Sequence, residues 1–202
     1  MNNFEHSYLG SVNYEESVDL QNDLHTLCQK TQGSYIIGLE HPAVMTLGYR
    51  AQASEEIYEA GLPLAKSTRG GLATIHSEGQ LVIYPILNLR NLGLGARDYV
   101  QLLLETTQTL LKELGIESCI DSKAVGLYTS KGKIAFCGIQ IRGGISQHGL
   151  SLNVRNDLSL FSRIRACGIE NPQFDSLESY SVSHTLGELY GRWVEIFKEK
   201  LI

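Results

Sequence analysis

Residues 124–154 read AVGLYTSKGKIAFCGIQIRGGISQHGLSLNV, and the spacing of turns in this stretch decides the fold class. Residues 124–129 and 133–142 flank Ser130-Lys131-Gly132, a hairpin signature. Gly143-Gly144 then separates the second run from a third at residues 147–154. Three runs joined by tight turns make an antiparallel meander, because a parallel crossover needs a dozen or more residues between strands. Outward from it, residues 80–89 are apolar on both alternating faces and read as a central strand buried on two sides. Residues 35–40 and 43–47 read as short strands split by His41-Pro42, which makes His41 a turn residue. Helical periods cover three further segments. Residues 14–31 carry Tyr14, Val18, Leu24, Leu27 and Cys28, with Gly33 as the stop, and residues 97–114 carry Tyr99, Leu103, Leu110 and Leu114, ended by Gly115. Residues 183–200 carry Leu186, Leu189, Trp193 and Phe197, with Ser183 as N-cap. Helices that fall between runs of strands, rather than after every strand, predict an α+β fold of mixed and antiparallel sheets with flanking helices. With no repeat or linker, one domain is expected over residues 1–202.

Composition narrows the function classes. A chain of 202 residues, 43% apolar and 19% charged, buries a core and is not a disordered segment. The first residues lack both a basic stretch and an apolar run, and the densest apolar run, residues 81–89, is too short for a bilayer. No membrane association is expected, and the cytoplasm is the expected compartment. Cys28, Cys119, Cys137 and Cys167 form no C-x-x-C pair, and His25-x-x-Cys28 has no second ligand pair, so no metal is expected. No glycine fingerprint for a dinucleotide or phosphate loop occurs, and no cofactor is expected. A net charge of −5 argues against nucleic acid, yet residues 131–165 carry +5 and the remainder −10. That basic stretch either solvates a surface or meets an acidic protein partner.

Four features could carry chemistry. Strand alternation places Lys133 with Ala135, Cys137, Ile139 and Ile141 on an apolar face. At a strand end such a lysine favours snorkelling to water; held inside, it would be a proton acceptor or a cation beside a thiolate. The same alternation puts His148 inward with Leu150, Leu152 and Val154, where a backbone-bonded core histidine is the commoner outcome, and Gly149 would let a ligand approach the backbone. Arg69-Gly70-Gly71, followed by Thr74, His76, Gly79 and Gln80, is either a tight turn or a loop offering N–H groups and a guanidinium fork to an anion or carbonyl oxygen. Cys167 falls in a turn after Arg163 and Arg165, where positive neighbours lower a thiol pKa and Gly168 leaves room for an acyl group; a plain buried or loop thiol is the alternative.

Taken together, the motifs resemble the lipoyl(octanoyl) transferase family. The resemblance rests on Leu39-Glu40-His41-Pro42, Thr46-Leu47-Gly48, Arg69-Gly70-Gly71, Thr74, His76, Gly79-Gln80-Leu81-Val82, Tyr84-Pro85, Lys133-Ile134-Ala135, Gly138, His148-Gly149-Leu150, Leu152-Asn153-Val154, Asp157-Leu158-Ser159 and Cys167-Gly168, in family order over most of the chain. It implies the fold of biotin and lipoate protein ligases, with Cys167 as acyl-thioester nucleophile and Lys133 activating it. It further implies an octanoyl site formed by Arg69, Gly70, Gly71, Leu72, Ala73, Thr74, Ile75 and His76, by Phe136, Cys137 and Gly138, and by His148, Gly149, Leu150 and Ser151. The implied donor is octanoyl-acyl carrier protein. The implied acceptors are lipoyl domains of 2-oxoacid dehydrogenase complexes and the glycine-cleavage carrier protein. Two steps follow, thioester exchange onto Cys167 and attack by an acceptor lysine. An ordinary thiol is about 3% thiolate at pH 7, whereas an ordinary lysine is neutral only about 0.04% of the time, so a base matters more in the second step. Ser77-Glu78 and Arg165-Ala166 depart from the family's Gly-Pro and Asn-Pro, which bears on rate and chain selectivity. The competing readings are an ATP-dependent lipoate ligase on the same scaffold and an inactive carrier-binding module.

Overall fold

A computed structural model describes residues 4–53, 57, 59, 61–121, 124–165 and 173–201. The large sheet has seven strands, in the spatial order β1 (Phe4–Ser11), β2 (Ser34–Glu40), β6 (Gln80–Ile86), β10 (Ile145–Asn153), β9 (Lys133–Arg142), β8 (Gly126–Tyr128) and β7 (Cys119–Asp121). The small sheet orders β4 (Leu64–Lys66), β3 (Val44–Leu47) and β5 (Ala73–His76). Pairs β1–β2 and β3–β4 are parallel and the rest antiparallel. The meander expected from residues 124–154 is β8–β9–β10. Its second turn is two residues long, Gly143 at φ +62° and Gly144 at φ +89°, the pair of left-handed conformations that a twisted hairpin needs. β10 therefore starts at Ile145, two residues before the expected run.

Alternation sorts β2 and β6 cleanly between two cores. Ile36, Leu81 and Ile83 face a cluster built with Tyr99, Leu103 and Leu110 of α2 (Ala96–Glu113) and Leu186, Leu189 and Trp193 of α3 (Leu186–Lys200). Tyr35, Ile37, Val82, Tyr84 and Ile86 face the opposite way, toward Cys28 of α1 (Tyr14–Thr31). Trp193 is fully buried, stacks on Phe197 and donates its indole N–H to Thr107 Oγ1 at 2.8 Å, so its truncation to alanine costs about 3–5 kcal/mol. A third cluster joins the sheets through stacked Phe136, Phe161 and Phe174.

Two sequence expectations change. The inner face of α1 is Tyr14, Ser17, Gln21, His25 and Cys28, spaced by three and four; Leu27, expected on it, is 40% exposed. The buried face is polar because it covers polar atoms: Gln21 Oε1 accepts from the His148 N–H, and His25 Nε2 meets the Arg142 carbonyl. Helix α3 is capped by Thr185, not Ser183, in a reciprocal box with Glu188. His41 lies in the connection between β2 and β3, as expected, and is fully buried there. Among the described residues, no helix is long and apolar enough to cross a membrane.

Candidate active site

A cavity of about 310 Å³ lies among β5, β6, β9, β10, the start of α1 and the loop at residues 69–72. Its lining includes Lys133 and every expected substrate-contact residue except Ile75. Arg69, Gly70, Gly71, Leu72, Ala73, Thr74, His76, Phe136, Cys137, Gly138, His148, Gly149, Leu150 and Ser151 are all brought together there. Ile75 points the other way, into the core with Met45, Leu47 and Phe161, because alternate residues of β5 face opposite sides. Cys167 lies outside the described residues.

Lys133 opens β9 and is 3% exposed, so it does not snorkel. Its ammonium donates to the carbonyls of Ala124 at 2.8 Å and Val125 at 3.1 Å, with the Tyr128 and Phe136 rings 5.2 and 5.0 Å away. Carbonyl dipoles and ring faces thus replace water around a cation. Gly126 makes the room: a β-carbon there would stand 2.6 Å from Lys133 Cε.

Arg69 serves the loop itself. Nη2 donates to the carbonyl and hydroxyl of Thr46, and Nη1 to the Gly70 carbonyl. The Gly70 N–H bonds Ile139 O at 2.9 Å, pinning the loop to β9 instead of offering a donor to ligand. Gly149 is small for the sheet, not for a ligand, since a β-carbon there would lie 2.3 Å from Ile83 O.

The histidines and tyrosines around the cavity present rings to it and bond their heteroatoms to other groups. His148 adopts φ +55°, which turns it off the Leu150–Leu152 side and beside Tyr84 on the opposite one. Its Nε2 donates to Thr68 Oγ1, whose own proton goes to Gln140. His76 Nδ1 donates to Gln80 Oε1 at 2.6 Å. His41 gives its Nδ1 proton to Val12 O, leaving Nε2 to accept from the Tyr84 hydroxyl at 3.0 Å. Tyr14 OH bonds Ser67. Burial, with neighbouring His41 and Arg69 adding, pushes His76 down to about 3, and burial beside Arg69 pushes His148 down to about 4. These imidazoles are neutral at pH 7, so the rings form an apolar wall suited to an alkyl chain, while the neighbouring Arg69 guanidinium is bonded to Thr46 and Gly70. Burial pushes the Cys137 thiol up to about 12 against the opposing pull of Lys133, so Cys137 is not a thiolate nucleophile.

Sequence reasoning missed Tyr14, Arg50, Val100, Ala124, Val125 and Ile139 as lining residues, quoted Val82 without a role, and did not single out Asp175, which bonds the Lys133 backbone. Tyr84 was quoted in a motif without a role. Of the departures, Glu78 is exposed and Ser77 buried. Among the described residues, no group of acidic, histidine or cysteine side chains is arranged to hold a metal.

Residues 13–198 match the family described as lipoyl protein ligase A/B catalytic domain. An octanoyltransferase of Cellvibrio japonicus is 44% identical over 65% of this chain and 61% of its own length. One from Dechloromonas aromatica is 35% identical over 89% of each. In fold, the chain is similar to a bi-partite lipoate protein ligase, solved in a study of that protein and its E2 lipoyl domain from Thermoplasma acidophilum, with TM-score 0.72 and 16% identity over 98% of this chain and 84% of the other. The architecture read from the meander agrees with the fold of these relatives, and the chain belongs to the lipoyl protein ligase A/B catalytic-domain family and, within it, to the octanoyltransferases, a group of acyltransferases.

Proposed function

We propose that this chain is an acyltransferase domain that moves octanoyl from octanoyl-acyl carrier protein to the acceptor lysine of lipoyl domains through a thioester on Cys167, and that it does so in the cytoplasm. The observation that supports it most is the cavity's division of labour, with the buried Lys133 ammonium at one end and, for the chain, a wall of neutral imidazole and phenol rings whose one buried guanidinium, Arg69, is bonded into the loop. In the first step the Cys167 thiolate, its proton held on Lys133, attacks the donor's thioester carbonyl; the Cys167 S–C bond forms as the carrier's C–S bond breaks, and the carrier sulfur leaves as a thiol by taking the proton from Lys133. In the second, the acceptor amine attacks the Cys167 thioester, the new C–N bond forms as that C–S bond breaks, and the amine proton passes to the departing sulfur by way of Lys133. Lys133 stabilises the thiolate while charged. Arg50, exposed at the cavity and part of its lining, gives an acidic carrier domain a point of approach. The lipoyl domains of 2-oxoacid dehydrogenase complexes and the glycine-cleavage carrier protein are the acceptors on this reading.

Intact-protein mass spectrometry after incubation with octanoyl-acyl carrier protein tests it. Wild type should gain one octanoyl group that hydroxylamine removes, Cys167→Ser should gain none, and added lipoyl domain should discharge the adduct without ATP. No adduct on folded wild type with competent donor, or transfer that requires ATP, overturns the reading in favour of the ligase.

A further inference from the structure

The approach to Lys133 from outside the cavity is built by a segment that sequence reasoning did not single out. Phe174 bridges Lys133 in parallel, and the bridge is made by Lys133's own backbone: its N–H donates to Gln173 O at 2.9 Å, and its carbonyl accepts from the Asp175 N–H at 3.0 Å. Gly132 permits the approach, since a β-carbon there would be 2.6 Å from the Gln173 carbonyl. Asp175 fixes the segment. It is 1% exposed, and its carboxylate accepts from the Ser176 N–H, the Thr129 hydroxyl and the Tyr180 hydroxyl, while its carbonyl accepts from Asn153 Nδ2. Thr129 directly follows β8, so Asp175 ties both arms of the hairpin on which Lys133 sits, one through its carboxylate and the other through its backbone N–H. Burial alone would raise this acid, but the hydroxyl and amide donors outweigh it and hold it below the usual carboxylate range. Asn153 extends the chain through Gln80 to His76 in the cavity wall. Asp175 is not part of the cavity lining, so it acts on the site through the groups it holds, and the Lys133 backbone is the one it bonds directly.

We propose that Asp175 is a positioning residue of the acyl-transfer site, holding the Lys133 backbone, and through it the ammonium, at the head of the cavity. This rests on the role of Lys133 proposed above. The test uses Asp175→Asn and Tyr180→Phe, the second removing one hydroxyl from the carboxylate while keeping the ring that lies 4.1 Å from Lys131 Nζ. Both are made in a Cys119→Ser background, because Cys119 is exposed and would also react. The readouts are the pH profile of Cys167 alkylation by iodoacetamide, followed by peptide mass, and kcat and KM for octanoyl transfer. Asp175→Asn should move the alkylation profile upward toward that of Lys133→Ala and lower kcat on the order of 10- to 100-fold with KM for the carrier unchanged. Tyr180→Phe should move both in the same direction by less. A folded Asp175→Asn protein whose profile and kcat match wild type, or one that loses melting temperature alone, overturns the proposal. Failure of the underlying reading looks different: Lys133→Ala would then leave the profile where it is in wild type.

Discussion

The two ends of the cavity are equally buried and solve burial in opposite ways. At the aromatic end, His76 and Tyr84 are 6% and 4% exposed, and desolvation wins: the imidazoles give up their charge and each polar tip bonds a neighbour. At the head, Lys133 and, behind it and outside the lining, Asp175 are 3% and 1% exposed, yet each sits among groups that suit its charge, carbonyls around the ammonium and N–H and hydroxyl donors around the carboxylate. Burial does not by itself neutralise a group; the supply of complementary dipoles decides. One chamber can therefore hold an alkyl chain and do acid–base chemistry within a few residues of each other.

The contrast breaks most visibly at the head. Lys133→Ala should lower octanoyl transfer by about 10²- to 10⁴-fold in steady-state assays, the range for loss of a general base, while chain-length preference stays put. Gly126→Ala, which sets a β-carbon against Lys133 Cε and the Ala135 carbonyl, should lower kcat on the order of 10- to 100-fold although it touches no substrate. At the aromatic end the expected effects are smaller and of another kind. His76→Phe keeps a ring in the wall, so turnover should change less than about tenfold, while the orphaned Gln80 oxygen destabilises the fold by about 1–3 kcal/mol in chemical denaturation. Loss of turnover as large as that of Lys133→Ala would mean His76 takes part in proton transfer.

Acid sharpens the same comparison. His76 and His148 titrate at about 3 and about 4 in the folded chain, below the ordinary 6.5, so the unfolded chain binds more protons between those values. Their stabilisation is complete above pH 6.5 and falls as the pH drops toward 4. Asp175 is held below its ordinary 3.8, so its contribution is present above that value and lost only at lower pH. Melting temperature should decline in two stages, and His76→Phe with His148→Phe should flatten the first alone.

The fold was legible where periodicity met unambiguous turns. The meander, the central strand and all three helices follow from glycine pairs and apolar spacing, because those positions face a dry core. Periodicity failed where the buried face is polar. The stripe of α1 was placed on Leu27 because Ser17, Gln21 and His25 carry no hydrophobic signal. It failed again at His148, where one left-handed residue resets the alternation, and at Gln32, which takes φ +59° to end α1 in place of Gly33. β1 pairs in parallel with β2 as an exposed edge, and its mixed composition leaves no period to read. Of the site, the resemblance supplied the residues, and the structure supplied the roles of Arg69 and Gly149 as scaffold. Asp175 had no motif to announce it, since its partners come from the hairpin turn, β10 and the segment before α3.

The strand order also sets a timetable for folding. β9 and β10 meet across a two-residue turn, whereas Leu150 of β10 and Ile83 of β6 pair from positions 67 residues apart. Closing so long a loop precedes any gain from the contact, which places β6 against a hairpin already formed and slows the chain into the millisecond-to-second regime of non-local sheets. The hairpin that bears Lys133 is thus an early element, and the chamber it heads closes only when β6 brings Val82 and Tyr84 to the other wall.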